Sequence, residues 1–362
     1  MRDLPEFPWD RLAPAASRAR AHPDGVVDLS VGTPVDPTPD VVQDTLRAAA
    51  DAPGYPATWG TPALRQTVTD WLTRRHGVTD LDPASVLPTI GSKELVAWLP
   101  TLLGLGPGDT VVIPTLAYPT YDVGARLAGA TAVRTDGLTE LGPVRPKLVW
   151  INSPANPTGR VLPVAHLAKV VAWARERGAV VASDECYLDT WYGEQPLSVL
   201  HPDVRGGTFE GLLAVHSTSK HSNLAGYRAG FIAGDPAISA ALLDVRKHAG
   251  MIVPAPVQAA MVAAYAEDDH IEVQRTRYAA RRGALAAALP AAGFRIDESA
   301  AGLYLWITRD EDCWQSVDAL AALGILVAPG EFYGPAGARH VRIALTATDE
   351  RVDAACTRLA GA

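Results

Sequence analysis

The sequence has few cysteines, no long apolar tract and no excess of basic residues, and each shortage excludes a class of protein. Cys186, Cys313 and Cys356 are odd in number and widely spaced, which fits neither a disulfide framework nor paired zinc ligands. No run of 18 apolar residues is present, so no membrane-spanning helix is predicted. The 32 basic residues are outnumbered by 40 acidic ones, and this net charge of −8 argues against nucleic acid as a partner.

The first ten residues also lack the apolar core of a secretory signal. They read Met-Arg-Asp-Leu-Pro-Glu-Phe-Pro-Trp-Asp and mix charges with prolines, so we expect the protein to stay in the cytoplasm. What the chain does have is length and apolarity. With 362 residues and an apolar fraction of 48%, it is long enough for two hydrophobic cores.

Continuous apolar runs alternate with helical patterns between about residues 85 and 235. The clearest runs are residues 111–113, 148–151, 179–182 and 212–215. Unbroken apolarity is typical of strands buried on both faces of a mainly parallel sheet. Residues 166–177 carry apolar side chains at helical spacing and polar ones elsewhere, which predicts the crossover helix of a βαβ unit.

The pattern changes after about residue 236. A long helix is predicted at 271–289, followed by short strands at 303–307 and 340–343, which is typical of an α+β domain. The first 45 residues are too rich in proline to form a domain, although 41–50 can form one helix. We therefore predict three parts, which are an N-terminal segment associated with the small domain (1–45), a large domain (46–240) and a small C-terminal domain (241–362).

Four predicted strands end in polar residues, and ligands of doubly wound sheets collect at the carboxyl ends of strands. The polar segments are 91–93 (Gly-Ser-Lys), 152–159 (Asn-Ser-Pro-Ala-Asn-Pro-Thr-Gly), 184–187 (Asp-Glu-Cys-Tyr) and 216–228 (His-Ser-Thr-Ser-Lys-His-Ser-Asn-Leu-Ala-Gly-Tyr-Arg). Alone, each has an ordinary explanation as a turn, a cap or a solvated lysine. Four at one edge of one sheet indicate a binding site. Lys220 then has the position of a Schiff-base lysine, and Arg228 that of a phosphate anchor.

These segments together resemble the class I/II aminotransferases, pyridoxal-phosphate enzymes of fold type I, over nearly the whole chain. The resemblance implies an α/β fold with a mainly parallel seven-stranded sheet in the large domain, and pyridoxal 5'-phosphate as cofactor. It implies that Lys220 holds the cofactor covalently and shuttles a proton, and that Asp184 faces the pyridine nitrogen. Asn156 and Tyr187 match the family's two donors to the cofactor's ring oxygen.

The resemblance also implies contacts to the cofactor's phosphate and ring face. The implied phosphate contacts are Ser92, Lys93, Ser217, Ser219 and Arg228. Tyr118 matches the aromatic residue that stacks on the ring, with an ordinary core tyrosine as the alternative. Tyr55 matches a tyrosine that reaches the phosphate of the other subunit, which implies a homodimer. For Lys93 a solvated surface charge is an equally good interpretation.

The substrate's α-carboxylate is implied to bind Arg342, whose planar guanidinium can donate two parallel hydrogen bonds. Gly32 matches a glycine that closes over the same carboxylate with its backbone, and Asn156 is implied to contact the substrate as well. The simpler interpretation of Gly32 is a turn glycine, and both can hold. The implied partners are therefore amino acids, 2-oxo acids and a second copy of the chain.

Longer strings at 29–39, 88–100 and 245–256 resemble the actinobacterial succinyldiaminopimelate transaminases of lysine and diaminopimelate biosynthesis. The resemblance implies that N-succinyl-LL-2,6-diaminopimelate and 2-oxoglutarate are converted to N-succinyl-2-amino-6-oxopimelate and glutamate. Such a substrate carries two carboxylates beyond the one on the arginine, so a distal pocket needs donors or cations. Lys93, His221 and Arg18 are hypotheses for them.

Other functions remain open at this point. The same residues serve an aminotransferase for acetylornithine or for amino acids of the aromatic or alanine/aspartate type, or a β-lyase on the same cofactor. A more remote alternative is a regulator that binds a ligand without turnover. Such regulators carry a DNA-binding domain ahead of this module, and the Gly32 motif starts too early to leave room for one.

Overall fold

Thirteen strands and thirteen α-helices are present in residues 4–361, the part of the chain that the computed structural model describes. In chain order the strands are β1 (Val27–Asp28), β2 (Leu87–Ile90), β3 (Thr110–Ile113), β4 (Thr131–Arg134), β5 (Leu148–Asn152), β6 (Val180–Asp184), β7 (Leu212–Ser217), β8 (Ala229–Gly234), β9 (Arg295–Glu298), β10 (Tyr304–Thr308), β11 (Ile325–Leu326), β12 (Ala328–Pro329) and β13 (Val341–Ala344). The helices are α1 (Ala13–Arg20), α2 (Asp40–Ala48), α3 (Pro62–His76), α4 (Gly91–Leu102), α5 (Thr120–Ala128), α6 (Val164–Arg175), α7 (Pro202–Arg205), α8 (Thr218–His221), α9 (Pro236–Ala249), α10 (Ala255–Ala266), α11 (Asp269–Ala288), α12 (Cys313–Ala322) and α13 (Asp349–Ala360).

The larger sheet has seven strands in the order β2-β8-β7-β6-β5-β3-β4. Only β8 runs against its neighbours, so the predicted mainly parallel seven-stranded sheet is confirmed. Every residue of β5 and β7 is buried, as expected for unbroken apolar runs between two layers of helices. Because β2, β5, β6 and β7 are parallel to one another, the polar segments that follow them meet at one edge.

Two smaller sheets involve the N- and C-terminal parts of the chain. The first is antiparallel with the order β12-β13-β10-β9, and the second is a parallel pair of β1 and β11. The N-terminal segment thus joins a strand of the C-terminal part. Among residues 4–361, no helix combines the length and the apolarity that crossing a bilayer requires.

The packing of α9 and α10 differs from the predicted boundary at residue 240. Leu242 and Leu243 of α9 lie in the same buried cluster as Leu213 of the large sheet. Met261 and Tyr265 of α10 also pack in a cluster beside that sheet. A helical pattern shows which face of a helix is buried but does not show which sheet covers it, so the sequence could not place these two helices.

Arg281 on α11 connects three parts of the fold, and its replacement by alanine is expected to destabilise the protein. Its side chain is 3% exposed and donates to Asp36 of the N-terminal segment at 2.6 and 2.8 Å and to Asp349 of α13 at 2.7 Å. Removing one partner of a buried pair leaves the other charge without compensation. We expect Arg281→Ala to lower the free energy of unfolding by about 3 kcal/mol at neutral pH, measured by urea denaturation.

This stabilisation should depend on pH. Burial opposes ionisation of Asp36, but hydrogen bonds from Arg281 and Gln274 hold its pKa below its usual value. A carboxyl whose folded pKa is lowered stabilises the fold above its unfolded pKa and loses that effect as the pH falls through the folded pKa. The difference between Arg281→Ala and wild type should therefore shrink below about pH 4. Arg295→Ala, at an exposed ion pair, is the control and should change little.

Candidate active site

Lys220 lies at the centre of the edge where the polar segments meet. It belongs to α8, which directly follows β7, and the Ser217 side chain caps this short helix by accepting from the Ser219 amide at 3.2 Å. The Lys220 ammonium donates to the carbonyl oxygen of Gly32. The fold therefore brings together two predicted site residues that are far apart in the sequence.

Asp184, the last residue of β6, presents a buried carboxylate to the same edge. Its side chain accepts from the Tyr121 hydroxyl at 2.8 Å and from the Cys186 amide at 3.3 Å. Burial raises the pKa of this carboxyl, and within residues 4–361 no lysine or arginine forms an ion pair with it. A buried carboxylate of this kind suits a cationic group of a ligand, because pairing offsets the cost of burying its charge.

Arg342 on β13 forms the opposite wall of the site. Its guanidinium is 2% exposed, donates to Asn156 Oδ1 at 2.9 Å and to the Ser30 carbonyl at 2.6 Å, and lies 4.1 Å from the centre of the Tyr304 ring. Among the described residues, Nε has no hydrogen-bond partner. Asn156 is itself held by Asn152, whose side chain accepts from its amide at 2.8 Å. A buried guanidinium with donor capacity to spare is suited to bind a carboxylate.

A cradle for an anion lies where α4 begins. Gly91 has a left-handed backbone with φ of 70°, and a Cβ added there would overlap the Arg228 guanidinium, so this side chain lies directly against the glycine. Gly230 pairs with Ser217 across β8 and β7, and a Cβ at Gly230 would lie 3.2 Å from the Ser92 amide. Arg228, Ser92 and Ser217 therefore surround one end of α4, where free backbone N–H groups favour a phosphate.

Several tyrosines border the site, among them Tyr118, Tyr121, Tyr187 and Tyr304. Tyr118 is largely buried, which raises its pKa to about 12, and Tyr187 donates to or accepts from the Tyr304 hydroxyl at 2.8 Å. Burial also raises the pKa of Tyr187, so the hydroxyls of Tyr118 and Tyr187 stay protonated. Tyr304 and Tyr121 were not predicted as site residues. Their sequence surroundings show only a strand and a helix start, and their contacts with Gly32 and Asp184 are long-range.

Four other side chains do not reach this centre. The Lys93 ammonium lies 5.6 Å from the centre of the Phe7 ring and is exposed, so only its backbone is near the cradle. Tyr55 is fully exposed, and its expected contact is with another subunit. Arg18 and His221, two of the residues suggested for a distal pocket, do not lie where they could bind the substrate. Arg18 pairs with Asp318 on the surface at 3.4 Å, and His221 is buried beside Trp71, where burial lowers its pKa to about 3 and keeps it neutral.

Comparison with known proteins agrees with this geometry. Residues 24–359 match the sequence profile of the family "Aminotransferase class I and II". The chain belongs to this family. Over 356 residues it is 65% identical to a probable aminotransferase of Mycobacterium tuberculosis, an alignment that covers 98% of this chain and 85% of that protein.

Two other relatives have more specific names. The 4-dedimethylamino-4-oxo-anhydrotetracycline transaminase of Streptomyces rimosus is 62% identical over 99% of this aminotransferase and 100% of its own length. An LL-diaminopimelate aminotransferase of Dehalococcoides mccartyi is 31% identical over 99% and 97% of the two chains. The crystal structure of an aminotransferase from Neisseria meningitidis is similar with a TM-score of 0.88 and 30% identity, covering 99% and 96% of the two chains.

The family assignment confirms the resemblance, the fold type and the cofactor. The protein is an aminotransferase of fold type I that depends on pyridoxal 5'-phosphate and acts on amino and oxo acids. The site fits this cofactor in three respects. An amine is available at Lys220, the Asp184 carboxylate is buried without an ion-pairing lysine or arginine among the described residues, and the Arg228 guanidinium can lie against the start of α4 only because position 91 has no side chain.

Gly32 is expected to tolerate no side chain in this aminotransferase. A Cβ at this position would overlap the Tyr304 hydroxyl, which bonds Tyr187, and would disturb the carbonyl that accepts from Lys220. Displacing a reacting group by about 1 Å costs on the order of 100-fold in rate. We expect Gly32→Ala to lower kcat/KM by about that factor. Gly207→Ala, at an exposed position where a Cβ meets no atom within 4 Å, should keep wild-type activity.

Proposed function

We propose that the protein transfers an amino group from N-succinyl-LL-2,6-diaminopimelate to 2-oxoglutarate, giving N-succinyl-2-amino-6-oxopimelate and glutamate. The observation that carries the proposal is the buried Arg342, fixed by Asn156 and Ser30 with Nε still free. It suits the α-carboxylate that all four of these compounds share. The identity of the acceptor rests on the resemblance of the three longer strings, since no distal side chain in the described site discriminates among oxo acids.

Each residue of the site has a proposed task. When bound, pyridoxal phosphate supplies the electron sink for the pair released as the substrate Cα loses its proton. Lys220 would hold the cofactor covalently, and its amine, when free, would take and return that proton. Asp184 faces the ring nitrogen, and Asn156 and Tyr187 donate to the ring oxygen.

The remaining residues bind the cofactor's phosphate and orient its ring and the substrate. Arg228, Ser217, Ser219 and the backbone of Ser92 and Lys93 bind the phosphate at the start of α4. Tyr118 covers the ring, and Gly32 lets the backbone approach the substrate carboxylate. Lys220 donates to the Gly32 carbonyl, so the N-terminal segment also helps to fix the position of the amine.

We also propose a homodimer in which Tyr55 of each copy reaches the other copy's phosphate site. Its side chain is fully exposed in the single chain, although tyrosine has a large apolar ring. Light scattering on the purified protein should give twice the chain mass of 38.2 kDa. Tyr55→Ala should then weaken cofactor binding without dissociating the dimer. A monomer with wild-type cofactor affinity would remove this part of the proposal.

A second candidate substrate follows from the Streptomyces rimosus relative, whose name gives a ketone on a fused ring system. The identity of 62% over the full length of both chains favours this candidate enough to test it. With this acceptor, an amino acid whose carboxylate binds Arg342 still donates the amino group, and only the acceptor differs. The two candidates therefore share the donor half of the site.

The experiment compares kcat/KM for different acceptors with glutamate as the donor in every case. The purified protein, loaded with pyridoxal phosphate, receives glutamate and one of four acceptors, namely N-succinyl-2-amino-6-oxopimelate, N-acetylglutamate semialdehyde, an aromatic 2-oxo acid or the 4-oxo-anhydrotetracycline. The proposal predicts the highest kcat/KM for the succinylated acceptor, by at least about tenfold, roughly the discrimination of one good polar contact. A higher value for another acceptor would replace the proposed substrate. In a separate assay with an amino acid that carries a β leaving group and with no oxo-acid acceptor, release of ammonia and pyruvate would indicate a lyase.

Arg342→Lys should separate substrate binding from the chemistry. A lysine keeps the positive charge but loses the second parallel hydrogen bond to a carboxylate. We expect KM for glutamate to rise about 10- to 100-fold, with a smaller change in kcat. Arg160→Lys is the control, since this arginine is exposed and should leave KM unchanged. An unchanged KM in Arg342→Lys would show that the carboxylate binds elsewhere.

A further inference from the structure

Tyr121 on α5 holds the carboxylate of Asp184 and has no part in the functions assigned above. Its side chain is fully buried, and its hydroxyl donates to Asp184 Oδ2 at 2.8 Å. The second carboxylate oxygen receives the longer 3.3 Å bond from the Cys186 amide, and the Cys186 thiol also interacts with this carboxylate. The tyrosine therefore fixes one oxygen of Asp184 and leaves the other available to a ligand.

The ring of Tyr121 is held on two sides. It stacks on Trp150 of β5, with ring centres 4.9 Å apart and planes 24° apart, and Tyr118 meets it edge-on at 5.9 Å. Both geometries are favourable for aromatic pairs. Tyr118 and Tyr121 are three residues apart, at the start of α5. One short motif thus supplies the ring proposed to cover the cofactor and the hydroxyl that holds its carboxylate partner.

The direction of this hydrogen bond is determined by burial. Burial raises the pKa of Tyr121 well above its ordinary value, so the phenol stays protonated and must be the donor. Burial also raises the pKa of Asp184, whereas hydrogen bonds from the Cys186 thiol and from the Tyr121 hydroxyl oppose that rise because they stabilise the ionised carboxylate. Without the Tyr121 hydroxyl, Asp184 would compete more strongly for a proton on the group it faces.

We propose that Tyr121 is a positioning residue that keeps Asp184 ionised and oriented, so that the proton between Asp184 and the cofactor's ring nitrogen stays on the nitrogen. The proposal rests on the role proposed for Asp184. Tyr121 acts only through that carboxylate and does not touch the substrate. Its loss moves the shared proton toward Asp184, and the ring becomes a poorer acceptor of electrons.

The test follows the ring nitrogen directly. Wild type and Tyr121→Phe are loaded with pyridoxal phosphate labelled with ¹⁵N in the ring, and the nitrogen chemical shift and the dissociation constant of the cofactor are measured. We expect a protonated nitrogen in wild type, a shift toward the neutral value in Tyr121→Phe and a dissociation constant raised about tenfold, as for loss of one hydrogen bond to a charged group. Tyr265→Phe is the matched control, because Tyr265 is equally buried and its hydroxyl has no partner within residues 4–361.

Two further variants separate the hydroxyl from packing. Trp150→Phe loosens the ring stack but keeps the hydroxyl, and it should retain the wild-type nitrogen shift. In an Asp184→Asn background, Tyr121→Phe should have no additional effect, because a residue that acts through another is not additive with it. Unfolding midpoints of all variants are recorded, so that a folded state is confirmed in each.

The outcomes distinguish the two proposals. A wild-type nitrogen shift in folded Tyr121→Phe would overturn the role of Tyr121 and leave that of Asp184 intact. The same shift in Trp150→Phe as in Tyr121→Phe would assign the effect to packing and also overturn it. A neutral nitrogen in wild type, or no change in Asp184→Asn, would instead contradict the role proposed for Asp184.

Discussion

Replacement of Lys220 by alanine is expected to abolish the visible absorbance of the lysine-bound cofactor and to lower kcat for amino-group transfer by about 1,000-fold or more. General acid–base catalysis alone contributes 100- to 10,000-fold, and the same amine is proposed to move the substrate proton. In the fold its ammonium contacts the Gly32 carbonyl. No other lysine is expected to replace it.

Lys247→Ala is the control for this experiment. Lys247 is exposed on α9 and pairs only with Asp244 at 3.3 Å, so its loss should change neither absorbance nor rate. Added methylamine should restore part of the activity of Lys220→Ala, because a free amine can then carry the proton. A Lys220→Ala protein that kept the absorbance band after dialysis would show that another amine holds the cofactor.

Replacement of Asp184 by alanine is expected to lower kcat by about 100- to 1,000-fold, the usual cost of losing one preorganised charge at a reacting centre. The carboxylate is buried and accepts from Tyr121, so its charge is poorly screened by water. Without it, the cofactor's ring nitrogen loses its counter-charge. Substrate KM should change less than kcat, because Asp184 makes no hydrogen bond to the Arg342 guanidinium, which is proposed to bind the carboxylate.

Asp184→Glu restores the charge at a displaced position and should recover part of the rate lost in Asp184→Ala. Single-turnover loss of the substrate α-proton, followed with α-deuterated glutamate, measures the affected step directly. Equal single-turnover rates in wild type and Asp184→Ala would show that the negative charge has no part in proton removal.

Much of the large sheet could be predicted from unbroken apolar runs. The runs at 148–151 and 212–215 correspond to β5 and β7. Both strands are buried on both faces, so polar residues do not alternate with apolar ones along them. The reversed direction of β8 could not be predicted, because apolarity is the same for either direction. The positions of α9 and α10 were also beyond the sequence, since their partners are distant in the chain.

The site shows the same division between local and long-range information. Asp184 ends β6 and Lys220 lies three residues after the end of β7, so a rule about strand ends brought them to one edge. Tyr121 contacts Asp184, and Tyr304 lies against Gly32, although the members of each pair are far apart in the sequence. Nothing in their own surroundings marks them, because each reads as a core aromatic residue. Neither the strand-end motifs nor the long-range contacts identify side chains for the far end of the substrate.

The central claim is that Lys220 holds the cofactor, and borohydride reduction followed by peptide mass mapping tests it most directly. The chain has five lysines, at 93, 147, 169, 220 and 247, so each can be assigned to its own peptide. The account predicts one reduced pyridoxyl-phosphate group per chain, on the peptide that contains Lys220. The same group on Lys93 or on any other lysine, with the Lys220 peptide unmodified, would contradict it.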